Sequence, residues 1–394
     1  MSTVKIPKKE FEERSEKIRE AMKKDGVDVV FVYGDEYRKE NLRYVSNYWP
    51  IFERGGFVMG INSAPVLLCA PEGEKVAQEM SVWPDIRLVP DFLCVTVPDK
   101  IEYPLATYTS FKKLALELTG GKPCRLGVAG SDAMSAGLLN TLKESFNAEI
   151  VDYNPLLFQL RLKKSANEVA CLREAARIAE VGFKKMMEAD LIGKTERYAA
   201  GIAEGAARQE GAEAIIFNVF GSGDRTNTIV GRPENKIIDN GDMIMCALAV
   251  QYEGYVATCE IPFAVGDYSE ETKRVISVLI HASAAGLPFL KAGLPMKQFV
   301  TAVRDLFRRE NLSQYDVYPP LHGIGCAEAE SPYPNETTDA LFEEGMCVST
   351  DISLFGLTGG SNRLEETLVI TKDGPDTFSP FARSYYEKWL KDGK

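Results

Sequence analysis

The sequence predicts an α/β protein of two domains. Its 394 residues are more than one ordinary hydrophobic core organises. Helical and strand-like patterns alternate through the first part of the chain, which is typical of an α/β unit. The turn signal Asn154-Pro155 then precedes longer helical patterns. We therefore predict an N-terminal α/β domain over residues 1–158 and a second domain over residues 159–394.

The N-terminal domain begins with an amphipathic helix over residues 11–24, with Ile18 and Met22 on its apolar face. A continuous apolar run then predicts a buried strand over 27–33. The apolar runs 56–60 and 65–69 flank Asn62-Ser63 and predict a hairpin. Short strands are predicted at 125–129 and 148–151.

The second domain begins with a helix whose start is marked by Ser165 and Glu168, which have the spacing of a capping box. This pattern continues through Met187. The other predicted elements are helices at 195–210 and 269–291 and strands at 242–250, 254–265, 346–354 and 366–371.

Composition excludes several classes of protein. There are 46 Lys and Arg residues against 57 Asp and Glu residues, and the net charge of −11 disfavours nucleic acid or an anionic membrane as a partner. No apolar run is long enough for a spanning helix. The charged N-terminus lacks an apolar signal core, and the eight cysteines contain no C-x-x-C pair. We therefore expect a cytoplasmic protein with reduced thiols.

The sequence HGIGCAEAESP begins at His322. It resembles the H-G-I-G-x-x-x-H-E-x-P signature of the pita-bread hydrolases, the family of methionine aminopeptidase, Xaa-Pro aminopeptidase, prolidase and creatinase. Further motifs occur in the order typical of that family: R-x-K-K-S-x-x-E from Arg161, Ser222-Gly223 with Asn227, Gly241-Asp242, Gly254-Tyr255, Gly345-Met346 and Glu365-Glu366-Thr367. The resemblance implies a creatinase-type N-terminal α/β domain followed by a pita-bread C-terminal domain.

The family resemblance also implies a ligand pattern for metal. Metal-dependent members hold two divalent ions with two Asp, one His and two Glu, and bridging carboxylates help to generate a nucleophilic hydroxide. At the two Asp positions this chain has Ala247 and Thr258, whereas His322, Asp351 and Glu365 occupy the other three. In addition, Ala329 replaces the second His of the signature. We therefore expect no metal cofactor, with a single divalent ion at His322, Asp351 and Glu365 as the alternative.

The remaining acidic residues resemble those of creatinase, the family member that works without metal. Glu260 and Glu365 match the two Glu that bind its guanidinium substrate. Phe52-Glu53-Arg54 resembles the Phe-x-Arg that the partner subunit of creatinase places over the active site. An Arg fork suits a carboxylate because it donates two parallel hydrogen bonds. The resemblance therefore implies a homodimer with Arg54 contributed across the interface.

The usual general base of these enzymes is a His, but that position holds Val230. The chain has two histidines, and His281 lies in a helical pattern where a structural role is expected. His322 is then the imidazole available for proton transfer. The predicted catalytic residues are His322, Glu260 and Glu365, and the predicted substrate-binding residues are Phe52, Arg54, Asp351, Glu330, Arg363 and Asn227.

The leading hypothesis from the sequence is a metal-independent, creatinase-like hydrolase or lyase. It would cleave a C–N bond in a small zwitterionic substrate that carries a cation and a carboxylate, and it would use no cofactor. Two alternatives remain open: a divergent metallopeptidase similar to Xaa-Pro aminopeptidase or prolidase, and a catalytically inactive pita-bread protein that binds other proteins.

Overall fold

The computed structural model describes residues 4–93 and 107–392. These residues form two compact units: Ile6–Arg161, and residues 162–392 together with Val4 and Lys5. The domain boundary predicted at 158/159 stays a prediction and falls within the helix Asn154–Leu162. Cys94 lies outside the described residues, and the seven described cysteines are buried. No helix among the described residues is both long and apolar enough to cross a bilayer.

The N-terminal unit combines helices with one mixed sheet. Its helices are α1 (Lys8–Asp25), α2 (Glu40–Ser46), α3 (Glu74–Met80), α4 (Phe111–Thr119), α5 (Ala136–Ser145) and α6 (Asn154–Leu162). Its strands are β1 (Val29–Asp35), β2 (Arg54–Gly60), β3 (Val66–Cys69), β4 (Ile86–Leu88), β5 (Cys124–Ala129) and β6 (Ala148–Asp152).

The strand order in this sheet is β4-β3-β2-β1-β5-β6. Strands β1, β2 and β3 pair antiparallel, and the predicted hairpin across Asn62-Ser63 is confirmed by the pairing of Val58 with Val66. The other pairs in the sheet are parallel. Apolar side chains such as Phe31, Leu68 and Phe111 form the core between the sheet and its helices.

The second unit contains the remaining elements. Its helices are α7 (Ala166–Met187), α8 (Glu196–Gln209), α9 (Glu270–Gly286), α10 (Met296–Arg309) and α11 (Pro380–Asp392). Its strands are β7 (Ala214–Ser222), β8 (Met243–Tyr252), β9 (Tyr255–Glu260), β10 (Phe263–Ala264), β11 (Leu321–Gly323), β12 (Cys347–Leu354), β13 (Asn362–Ile370) and β14 (Pro375–Thr377). The predicted capping box of Ser165 and Glu168 is present at the start of α7.

These strands form one antiparallel sheet in the order β10-β8-β9-β13-β12-β11, with β7 beside β8 and β14 beside β13. Side chains alternate between the two faces of a strand. On β13, Leu364 and Leu368 point into the cores formed with the helices. Glu365 and Thr367 therefore project from the opposite face, and that face carries the polar residues described below.

Several predicted boundaries differ from the observed ones. The strand predicted at 254–265 is interrupted at Ile261-Pro262, since proline has no N–H to donate to a sheet. The helix predicted over 269–291 ends at Gly286, just before Pro288. Strands β4, β7, β11 and β14 and helices α2 to α6, α10 and α11 lie outside the predicted elements. Strand β13 begins four residues before the predicted start at 366, because the polar segment Asn362–Glu365 pairs with β12.

Candidate active site

Three buried carboxylates form a row on the face of the second sheet that lies opposite the helices. Glu365 on β13 is paired with Glu260 on β9 and with Asp351 on β12. His322 on β11 is paired with Ser349, two residues before Asp351 on β12. The antiparallel register thus gathers acidic side chains from three strands beside one imidazole.

The orientation of the His322 ring is set by its own backbone. Its Nδ1 lies 2.9 Å from the Gly323 carbonyl oxygen. Since a carbonyl only accepts hydrogen bonds, Nδ1 carries a proton. Nε2 therefore carries the second proton when the ring is cationic and offers a lone pair to the site only when the ring is neutral. Nε2 lies 3.5 Å from Glu365 Oε1 and 3.8 Å from Glu328 Oε1.

Both of these acids are held by hydroxyl groups. The loop that follows β11 brings Glu328 toward β9, where Thr258 Oγ1 donates to Glu328 Oε1 at 3.2 Å. Ser349 Oγ donates to Glu365 Oε1 at 2.8 Å. Thr258 occupies one of the two Asp positions of metal-dependent relatives, so a hydroxyl on the strand now orients a carboxylate supplied by a loop.

Burial and crowding of charge change the ionisation of the site. Burial raises the pKa of Glu260 to about 8 and also raises those of Glu328 and Asp351. Burial opposes the charge of Glu365 as well, but the hydrogen bond with His322 outweighs it and lowers the pKa of Glu365. For His322, burial lowers the pKa, but the neighbouring carboxylates, Glu365 first, raise it overall. In the absence of a bound cation, the cluster therefore retains protons near neutral pH.

Arg363 is the buried cation of this site. Its Nε lies 3.0 Å from Asp351 Oδ1 and 3.8 Å from Glu260 Oε2. The guanidinium lies near the rings of Tyr318 and Phe355, 5.0 and 5.3 Å from their centroids. The charges of Asp351 and Glu260 raise the pKa of Arg363 although burial opposes this, so the group stays cationic.

These residues surround the floor of a cavity of about 790 Å³. Its apolar walls include Ile216, Phe217 and Val230, and the last of these is 65% exposed at the mouth. The remaining lining residues are Glu204, Asn218, Val219, Gly231, Arg232, Pro233, Tyr318, Pro319, His322, Glu328, Ala329, Tyr333, Asp351, Arg363 and Glu365. The cavity combines a charged floor with largely apolar walls and has the size of a small-molecule site.

Of the predicted site residues, His322, Glu365, Asp351 and Arg363 line this cavity. Glu260 is fully buried and is not among the lining residues. The position of the usual His is part of the wall, where Val230 contributes an apolar surface.

Two other predicted substrate-binding residues make structural contacts instead of lining the cavity. Asn227 donates from Nδ2 to the Leu357 carbonyl at 3.1 Å and accepts a hydrogen bond from the Gly356 N–H at 2.8 Å. Glu330 accepts a hydrogen bond from the buried Lys164 ammonium at 2.8 Å. These contacts connect the loops and helix entry around the site.

Phe52 and Arg54 belong to the N-terminal unit. Phe52 is 71% exposed and has a positive φ of 63°. Arg54 begins β2 and donates weakly to the Leu93 carbonyl at 3.4 Å. A substrate-binding role for these two residues stays a prediction.

One divalent ion fits the donor atoms of the cluster, and two do not. Ligand atoms of His322, Glu328 and Glu365 all lie within 4.8 Å of one another, and these three form the one such group in the described part of the chain. Two ligands of a tetrahedral ion with bonds of about 2.1 Å are about 3.4 Å apart, close to the 3.5 and 3.8 Å measured from His322 Nε2. Ala247 and Thr258 supply no carboxylate for a second ion.

Comparison with known families gives two matches. Residues 170–372 match the model of Metallopeptidase family M24, and residues 14–163 match that of the Creatinase/Prolidase N-terminal domain. The two matches confirm the predicted fold class, with a creatinase-type N-terminal domain and a pita-bread C-terminal domain.

Two relatives illustrate the similarity in sequence. The uncharacterized peptidase YqhT of Bacillus subtilis is 30% identical, and the alignment covers 59% of this chain and 66% of that relative's length. The Xaa-Pro dipeptidase of Pyrococcus horikoshii is 24% identical, and the alignment covers 92% of this chain and 95% of the relative.

Solved structures agree on the fold. The prolidase from Pyrococcus horikoshii OT3 superimposes with a TM-score of 0.78 at 23% identity, covering 93% of this chain and 98% of the other. The X-Pro aminopeptidase from Thermotoga maritima gives a TM-score of 0.79 at 20% identity, covering 93% of this chain and 97% of the other. At these identities the likeness establishes the fold alone.

The comparisons correct two expectations from the sequence. The hypothesis of a metal-independent, creatinase-like enzyme acting on a non-peptide C–N bond is wrong, because the matching family is one of metallopeptidases and full-length relatives are Xaa-Pro dipeptidases. The expectation of no metal cofactor is wrong for the same reason, and the structure gathers a suitable ligand cluster.

The error has an identifiable physical source. Replacement of two strand carboxylates, at Ala247 and Thr258, suggested a dismantled metal site. Glu328 was not counted as a ligand because the direction of a loop side chain depends on tertiary contacts, here the hydrogen bond from Thr258. The single-ion alternative named Asp351 where the structure has Glu328, since Asp351 is paired with Arg363.

Proposed function

Because the chain belongs to metallopeptidase family M24, we propose that it is a hydrolase that cleaves dipeptides of the Xaa-Pro type with a single divalent ion. The observation that carries this proposal is the cluster of His322, Glu328 and Glu365 on the floor of the cavity. Three protein ligands with an open side are typical of a catalytic site, whereas structural sites are closed by four.

The charge balance of the site supports a dication. With His322 neutral, the four carboxylates of Glu260, Glu328, Asp351 and Glu365 and the one guanidinium of Arg363 sum to −4 + 1 = −3. A buried excess of three negative charges is costly and is relieved by proton uptake or by a cation. A divalent ion brings the sum to −1 and displaces the retained protons.

Different residues of the site would hold the ion and orient its ligands during hydrolysis. A bound divalent ion would polarise the scissile carbonyl and lower the pKa of a coordinated water. His322 Nε2 and the carboxylates of Glu328 and Glu365 would hold it, and the hydroxyls of Thr258 and Ser349 keep the two acids in place.

Glu328 is suited to proton transfer as well. Its side chain is 18% exposed, against 2% for Glu365, so Glu328 is the more accessible of the two acids that line the cavity. A Glu328 oxygen that the ion leaves free could take a proton from the attacking water and return it to the leaving amine.

The cavity supports a small substrate with an apolar part. Its volume of about 790 Å³ is appropriate for a dipeptide, and the walls at Phe217 and Val230 offer apolar surface to a proline ring or an aliphatic side chain. A dipeptide is a zwitterion, so it carries both the cation and the carboxylate expected from the sequence. The names of the full-length relatives, Xaa-Pro dipeptidases, support the same class.

We further propose that the active form is a homodimer in which Arg54 of one subunit binds the substrate carboxylate in the other. Its support is the Phe52-Glu53-Arg54 motif and the 71% exposure of Phe52, a large apolar side chain that a partner subunit would cover. We also propose a cytoplasmic location, which the scattered cysteines without a C-x-x-C pair support.

The test uses the full chain, stripped with a chelator and reloaded with Mn²⁺, Co²⁺ or Zn²⁺. Release of free proline from Xaa-Pro dipeptides should depend on the ion, and a parallel set without proline measures the preference. His322→Gln should abolish turnover, whereas His281→Gln, at the exposed histidine of α9, should retain it. Absence of ion-dependent cleavage across both sets would contradict the proposal and favour a binding protein.

A further inference from the structure

Glu260 is a buried carboxylate that neither the fold nor the proposed ligand set uses. It is 0% exposed, and neither of its carboxylate oxygens has a hydrogen-bond partner. An unpartnered buried carboxylate is unfavourable, and native proteins retain few of them. Its place beside the cluster of His322, Glu328 and Glu365 suggests that a partner arrives in another state of the site.

Arg363 is the cation beside Glu260, and its Nε makes no hydrogen bond to Glu260 or to Asp351. Arg363 Nε lies 3.0 Å from Asp351 Oδ1 and 3.8 Å from Glu260 Oε2, yet neither contact has hydrogen-bond geometry, and Arg363 Nε and Nη2 are both without a hydrogen bond. The nearby rings of Tyr318 and Phe355 contact the guanidinium without fixing it through directional bonds. The two distances differ by 3.8 − 3.0 = 0.8 Å, so a shift of that size toward Glu260 would bring Nε within hydrogen-bond distance of Glu260 Oε2.

The register of the sheet determines what a shift of Arg363 from Asp351 toward Glu260 would change in the site. Glu365 is paired with Glu260 on one side and with Asp351 on the other, so a carboxylate flanks it on each neighbouring strand. Asp351 lines the cavity, whereas Glu260 does not. A shift of Arg363 toward Glu260 moves positive charge away from the cavity and frees Asp351 to face a cation there.

We infer that Glu260 is a positioning residue that takes Arg363 from Asp351 when a divalent cation enters the site. Asp351 then faces the ion as a third carboxylate beside those of Glu328 and Glu365, while the ion keeps the open side described above. The buried pair of Glu260 and Arg363 remains behind the floor of the cavity. This inference rests on the single-ion site proposed above.

The test is Mn²⁺ affinity of the chelator-stripped full chain, measured by calorimetry on a double-mutant cycle. Glu260→Gln and Asp351→Asn should each weaken Mn²⁺ binding about tenfold. The double variant should bind no more weakly than Asp351→Asn alone, because Glu260 acts only by releasing Asp351. Both substitutions replace a buried acid by a neutral amide of the same shape, and unfolding curves establish that each of the three variants folds.

Glu366→Gln is the matched control. Glu366 is also a buried carboxylate on β13, but it lies on the helix-facing side and pairs with Arg383. Its substitution should leave Mn²⁺ affinity within about twofold. If the effects of Glu260→Gln and Asp351→Asn add, Glu260 acts through its field alone and the exchange is refuted. If the wild-type chain binds no Mn²⁺, the single-ion proposal itself fails.

Discussion

Replacement of Glu328 by Gln tests the residue that sequence analysis did not place in the metal cluster. The structure puts Glu328 Oε1 at 3.8 Å from His322 Nε2 and gives it a hydroxyl donor in Thr258. If Glu328 is a ligand, the substitution removes one of three donors and one negative charge from a largely buried site. If it is only a neighbour, the affinity for the ion should change little.

The loss of metal-binding free energy expected for Glu328→Gln lies between two bounds. A dication and a carboxylate about 4 Å apart attract by about 8 kcal/mol at an effective dielectric constant of about 20. This is an upper bound, because glutamine keeps one oxygen that can ligate. Loss of outer-shell partners alone weakens metal binding by about 10- to 100-fold. We therefore expect Glu328→Gln to weaken binding at least 100-fold, or about 2.7 kcal/mol, and Thr258→Val about tenfold.

The assay is competition for Mn²⁺ or Zn²⁺ against a fluorescent chelator at neutral pH. Glu204→Gln is the control, since Glu204 lines the same cavity but lies outside the cluster and pairs with Asn218. It should bind the ion within about twofold of wild type. Affinity of Glu328→Gln within threefold of wild type would refute the assignment of Glu328 as a ligand.

Three further outcomes are expected. Lys164→Met should lower the unfolding free energy by about 3–5 kcal/mol in urea titrations, because it removes the ammonium that pairs with the buried Glu330. Adding Glu330→Gln should restore part of that loss. A loss below about 1 kcal/mol would contradict this reasoning. Burial raises the pKa of Glu53 to about 7. The folded state therefore keeps a proton that the unfolded state releases, and stability falls as the pH rises from about 4.5 to 7. Glu53→Gln should thus match wild type near pH 4.5 and exceed it by about 1–3 kcal/mol at pH 8, and an equal difference at both pH values would argue against this titration. Arg54→Ala should raise the KM for dipeptides more than it lowers kcat. Mixing the Arg54→Ala protein with the His322→Gln protein should restore activity, because a hybrid dimer contains one site with both residues intact. No recovery on mixing would refute the shared site.

The sequence was a good guide wherever local pattern decides structure. The capping box at Ser165 and Glu168 and the hairpin across Asn62-Ser63 both form as expected, because turn chemistry and strand alternation are local. The family motifs identify His322 and Glu365 as site residues, and both lie on strands, which fix the direction of their side chains.

Loop geometry and the packing of long side chains were not predictable in the same way. Glu328 enters the cluster because its loop turns toward Thr258, which is 70 residues away in the sequence. Glu260 was expected to contact substrate, and strand parity did put it on the correct face. The structure nevertheless leaves it fully buried beside Arg363, since accessibility depends on which side chains lie over it.

The central claim is that one divalent ion is held by His322, Glu328 and Glu365. Anomalous diffraction from crystals soaked in Mn²⁺ or Zn²⁺ tests it most directly, because the signal locates the ion without reference to activity. We predict a single strong peak per chain, within bonding distance of His322 Nε2 and of carboxylate oxygens from both acids. Two peaks at the cavity floor, or one that Glu328 does not contact, would contradict the account.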